Sequence, residues 1–70
     1  MMDRTGQVWR WPGIGDTFLI VATRVLSPRV IKHDVVWMEG GGDLYATPGE
    51  FDMISERQIL NEDYMMTRLA

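Results

Sequence analysis

Hydrophobic and polar positions along this chain alternate in short runs, and the runs are divided by clusters of glycine and proline. Gln7-Val8-Trp9-Arg10-Trp11 switches polar and apolar residue by residue, the two-residue period of a strand with one face buried. Pro12-Gly13-Ile14-Gly15-Asp16 interrupts it as a turn. From Thr17 to Leu26 the chain is apolar at nearly every position and rich in β-branched and aromatic residues, which predicts a central strand. Ser27-Pro28-Arg29 reverses it. Serine suits the first position of a type I turn, and proline presets φ for the second. Residues 30–39 predict a long returning strand, bent near His33-Asp34, and Gly40-Gly41-Gly42-Asp43 predicts the next hairpin turn. A short fourth strand is expected at 44–47, ended by Pro48-Gly49.

Only one stretch carries a helix signal. Ser55-Glu56-Arg57-Gln58 has the spacing of a capping box, in which serine accepts from the amide three residues on and glutamine reaches back. The predicted helix, 56–61, is too short to hold itself without packing against the sheet. Residues 64–69 could continue the helix or form a fifth strand; since 60–69 fit no single helical stripe, the strand is preferred.

Size sharpens this reading. The chain has 70 residues, 46% of them hydrophobic, with no cysteine and one histidine. A single domain of this length buries only about 60% of its unfolded surface, and such scaffolds usually need a staple. Disulfides and thiolate metal sites are excluded by composition, and a single histidine excludes a histidine-rich one. Stability must come from aromatic packing or from a partner subunit. Trp9, Trp11, Trp37, Phe18, Phe51, Tyr45 and Tyr64 are the candidate core, with residues 1–5 frayed. Met38, Met53, Met65 and Met66 are read as core filler, or more sharply as an adaptable binding surface. The longest apolar run, 18–22, is far shorter than a bilayer span, and no signal peptide is visible at the start, so a cytoplasmic address is expected.

The net charge of −3 is unevenly spread. Residues 1–37 hold five basic side chains against three acids, and 38–70 hold Arg57 and Arg68 against seven acids. An acidic domain repels nucleic acid over most of its surface. Arg24, Arg29, Lys32 and His33 cluster around the Ser27-Pro28 turn. With Trp11 nearby they form the candidate partner-binding set, and the alternative reading is a nucleic-acid grip that stacks a base on the tryptophan. Catalytic patterns are lacking. Gly13-Ile14-Gly15 opens like a dinucleotide fingerprint, but Phe18 stands at the third glycine position and a strand follows. The glycines at 40–42 lack the Lys-Ser/Thr of a phosphate loop. Neither Ser27 nor Ser55 sits in a nucleophile elbow. Glu50/Asp52 and Glu62/Asp63 match no calcium-loop register. No enzyme activity, cofactor or metal is expected.

Two segments, Gly6-Gln7-Val8-Trp9 and Val36-Trp37-Met38-Glu39-Gly40, resemble the opening and central strands of small SH3-like proteins. The resemblance covers about a third of the chain. It implies a five-stranded SH3-like barrel with a short C-terminal helical turn. The rival architecture is an open antiparallel sheet packed by one C-terminal helix. Proteins of this kind recur among phage and mobile-element genes, so the resemblance implies an accessory or host-inhibiting role exercised by protein–protein contact. Both faces of 17–26 are apolar, and a small barrel would leave one wet. Leu19, Val21 and Val25 are therefore the expected face of a homo-oligomer, most simply a dimer, unless 55–69 folds over them.

Overall fold

The computed structural model describes residues 3–13, 15–38 and 48–70. It is a single five-stranded antiparallel sheet with one short helix. The strands are β1 (Val8–Trp11), β2 (Asp16–Ser27), β3 (Val30–Trp37), β4 (Phe51–Ser55) and β5 (Thr67–Arg68). Their order across the sheet is β4-β3-β2-β1-β5. Among the described residues β4 and β5 are opposite edges, so the sheet is open and not a closed barrel. The open-sheet alternative describes it better.

The first three strands and the Pro28-Arg29 turn fall where hydrophobic alternation and turn chemistry put them. The tail differs in detail. Helix α1 (Glu56–Leu60) starts on the capping box. The Gln58 amide donates to Ser55 Oγ at 3.2 Å, and the Ser55 amide donates to Gln58 Oε1 at 2.9 Å. A 3-10 turn (Glu62–Tyr64), capped by Asn61, occupies the start of the expected last strand and leaves only Thr67–Arg68 to pair with β1. The expected strand at 44–47 lies outside the described residues. Instead, Phe51-Asp52-Met53-Ile54-Ser55 pairs with β3. It is entered through Gly49, whose φ of +88° favours glycine and whose amide donates to the Trp37 carbonyl at 2.7 Å.

One face of the sheet carries the core. Phe18, Ile20, Val35, Trp37, Ile54 and Ile59 are buried, with Trp9, Trp11 and Met66 packed against them. Phe18 meets Trp37 edge-on at 5.5 Å between centroids, a favoured aromatic geometry. Helix α1 lies on this side and contributes Ile59.

The phase of β2 changes part-way along. Ile20 stands opposite Val35, but Ala22, not Val21, stands opposite Asp34: Val21 is an extra residue, a β-bulge. Because side chains alternate with period two, one inserted residue exchanges the faces beyond it. Phe18 and Ile20 face the core before the bulge, and Thr23 and Val25 face that side after it. This corrects the expectation that Leu19, Val21 and Val25 share a face. Leu19 is on the outer face, Val21 sits in the bulge, and Val25 opposes Ile31 on the helix side.

The outer face holds an apolar row running across four strands. Phe51 pairs with Val36, Val36 with Leu19, and Leu19 with Val8. Phe51 is 71% exposed. The tail does not cover this row. Ile59, Tyr64 and Met66 turn to the core side, while Leu60, Met65 and Leu69 are exposed.

At the β4 edge the backbone is partly closed off. The ladder points the amides of Asp52 and Ile54 at β3, so those of Met53 and Ser55 point outward. The Met53 amide donates to Asp52 Oδ1 at 2.7 Å, and that of Ser55 is held by Gln58.

Candidate functional site

A polar chain and an adjoining groove lie where the distal β2–β3 hairpin meets α1. The polar chain depends on the bulge, which sets Thr23 opposite His33 on the core face. His33 is fully buried. Its Nδ1 pairs with the Thr23 hydroxyl at 2.9 Å and its Nε2 with Glu56 Oε1 at 2.7 Å. Since Glu56 is an acceptor, Nε2 carries the proton between them. Glu56 also takes both arms of Arg4: Nε donates to Oε1 at 2.7 Å and Nη2 to Oε2 at 2.8 Å. The Arg4 guanidinium lies 5.3 Å from the Trp9 ring centroid and donates to Gln7 at 3.2 Å. The Arg4 backbone amide closes the circuit on Thr23 Oγ1 at 3.1 Å.

Arg4, within the segment expected to be frayed, is buried and bound to a helix 52 residues away. The hydrogen bonds from Arg4 hold the Glu56 carboxyl below its ordinary range, against the opposing effect of burial, and the His33 contact adds to them. The same pairing raises the Arg4 pKa further. Asp3, at the surface, is lowered by the Thr5 hydroxyl and amide. Hydroxyl, imidazole and carboxylate stand in the order of a nucleophilic triad. Here the imidazole has no exposed surface and the carboxylate is occupied by an arginine fork.

Beside this chain is an open groove of about 390 Å³. Pro28, Arg29, Val30, Ile31 and Lys32 form one wall, and Ser55, Glu56, Arg57 and Leu60 the other. Three of its lining residues are cations, Arg29, Lys32 and Arg57, of which Lys32 stands opposite Arg24 and shares the outer face with it. None of them pairs with a carboxylate among the described residues. Its one acid, Glu56, is already committed to Arg4 and His33. Ser55 is committed to Gln58.

The structure separates the five residues expected to bind a partner. Arg29 lines the groove. His33 is buried behind it. Arg24 and its cross-strand partner Lys32 stand on the outer face, where Arg24 Nε donates to Asp34 at 2.7 Å. Trp11 is at the far end of the sheet, 5.2 Å from the Tyr64 ring, so the expected stacking platform beside the basic turn does not form. Sequence reasoning missed Arg57, Leu60 and the Arg4–Glu56 pair. The capping box was the signal for the first two, because it fixes a helix whose exposed residues must face something.

Among the described residues, no three His, Asp or Glu side chains gather as a metal site. No helix there is long and apolar enough to cross a membrane. No family model, curated protein or solved structure matches this chain.

Proposed function

We propose that this chain is a non-catalytic protein-interaction module whose binding element is the groove between the β2–β3 turn and α1. The observation that carries the reading is the groove's lining. Apolar walls flank two cations, Arg29 and Arg57, that have no carboxylate partner among the described residues, while its other polar groups are internally satisfied. A concave, mixed surface of this volume is the usual form of a recognition site. The buried His33 and the arginine-occupied Glu56 favour a structural use of the polar chain over a chemical one. Nucleic acid is less favoured. No aromatic ring lines the groove, and the chain's net charge is −3.

The test is affinity capture from cells of the source organism with wild-type chain and with Leu60→Glu and Arg57→Glu. Both residues are exposed, so the fold is retained. A protein captured stoichiometrically by the wild type and lost with both variants is expected. Capture unaffected by either change would move the binding surface elsewhere.

A further inference from the structure

We infer that the groove takes an acidic, aliphatic peptide segment, in which a large apolar side chain enters between the Pro28–Ile31 wall and Leu60, and flanking carboxylates are gripped by Arg29 and Arg57. The inference rests on the protein-interaction reading of this groove and specifies its ligand.

Three observations select that chemistry. The first is polarity. With Glu56 held by Arg4 and His33, and Ser55 by Gln58, the free side-chain functions in the lining are cationic donors. A ligand must supply acceptors, and carboxylates match guanidinium groups in charge and geometry. The second is the apolar contribution. Pro28, Val30, Ile31 and Leu60 line the same space, and Leu60 is 65% exposed. A fully hydrated anion would leave these side chains wet, whereas a leucine or phenylalanine between two acids would cover them. The third is extent. A volume of about 390 Å³ suits a few side chains, near the lower end of ordinary ligand pockets. A longer polyanion would leave the groove and meet an acidic surface, since 38–70 carries seven acids against two arginines.

The site is also held in place. Its Glu56 wall is fixed by the bidentate Arg4 pair and by His33, and its turn by the Arg29 amide donating to Ser27 Oγ at 3.3 Å. Binding to a preformed surface has less ordering entropy to offset.

Fluorescence anisotropy with full-length protein tests the inference, using four labelled probes. These are the peptide Glu-Asp-Leu-Leu-Glu-Asp, its basic counterpart Lys-Lys-Leu-Leu-Lys-Lys, its polar counterpart Glu-Asp-Ser-Ser-Glu-Asp, and a short oligodeoxythymidylate. The acidic leucine peptide should bind about tenfold or more tighter than each of the others, a difference of about 1.4 kcal/mol. Arg29→Glu and Arg57→Glu should each weaken it about tenfold, and Leu60→Ser should reduce its advantage over the serine peptide. Arg10→Glu, on the far strand, should change nothing. Amide NMR shifts should concentrate at Val30, Ile31, Lys32 and Leu60. Equal binding of the acidic and basic peptides overturns the ligand assignment. So does tighter binding of the oligonucleotide that the same variants abolish, which would make the groove a phosphate grip. If these peptides fail while a cellular protein is still captured in a Leu60-dependent way, the module reading survives and the ligand chemistry falls. If the groove variants affect neither, both fall.

Discussion

Replacing Glu56 by alanine should be among the most damaging single changes in this domain, although the side chain is not part of the apolar core. The carboxylate accepts three contacts of 2.7–2.8 Å, two from Arg4 and one from His33. Removing it leaves a guanidinium in a residue only 8% exposed, and a fully buried imidazole, without their acceptor. Breaking a buried charge pair from one side costs about 3–5 kcal/mol. The pair's slight solvent contact, 10% and 13% of the two side chains, places Glu56→Ala at the lower end. A domain of this size has a total stability of roughly 4–10 kcal/mol, at about 0.05–0.15 kcal/mol per residue. A loss of about 3 kcal/mol corresponds to a fall in Tm of about 12–24 °C. Urea denaturation followed by tryptophan fluorescence gives the free energy, and a cycle with Arg4→Met isolates the coupling, expected to exceed about 1 kcal/mol. A loss below about 1 kcal/mol for Glu56→Ala, or additivity in the cycle, would refute the view that this network ties the N-terminus to α1.

Acid should act through the same group. Glu56 titrates lower in the folded chain than its unfolded value of 4.5, so its contribution is complete above that value and is lost as pH falls through the folded pKa. Denaturation midpoints should therefore drop on acidification below about 4.5, and Glu56→Gln should flatten that limb; an unchanged limb would count against it. Thr23→Val removes the hydroxyl facing Nδ1 of His33 and the Arg4 amide, and should cost about 1–3 kcal/mol by chemical denaturation with no change in volume. Light scattering of the concentrated wild type should give a mass above the 8.1 kDa of one chain, with the Phe51–Val36–Leu19–Val8 row as the seam. Phe51→Glu should restore 8.1 kDa, whereas Val25→Glu, on the other side of the sheet, should not; a wild-type mass of 8.1 kDa would remove the dimer.

The strands that the residues announce most clearly are those whose signals are local. Trp9 and Trp11 alternate, Phe18 to Ala22 is continuously apolar, and Ser27-Pro28 turns the chain. Ser55 and Gln58 specify the start of α1 within four residues. The bulge was not legible, because nothing in Ile20-Val21-Ala22 distinguishes an extra residue from an alternating one. Only pairing with β3 reveals it. Its consequence was hidden with it: reading β2 with one unbroken period put Val25 with Leu19 and gave no reason for Thr23 to face His33. β4 was masked for another reason. Phe51, Asp52 and Met53 are all exposed at an edge, so the segment shows little alternation, and Asp52 lies on the core side, where it accepts from the Trp37 indole at 3.3 Å. Arg4 illustrates the third kind of gap. A basic residue near a terminus reads as solvated, and its acceptor is 52 positions away.

The two capped amides at the β4 edge have a bearing on how such a small protein survives at high concentration. An open sheet is ordinarily a template: each free edge invites another strand, and repeated addition grows a fibre. Here the donors that would start that growth, Met53 N–H and Ser55 N–H, are held by acceptors from their own chain, one and three residues away. Those two donors are satisfied before another backbone arrives. Encounters at this edge are steered from the generic language of backbone pairing to side-chain chemistry, which differs from one protein to the next. Selectivity in so short a chain thus has a backbone component: two polar side chains make this part of the β4 edge a poorer template for an arriving strand, and shift recognition toward surfaces that can tell partners apart.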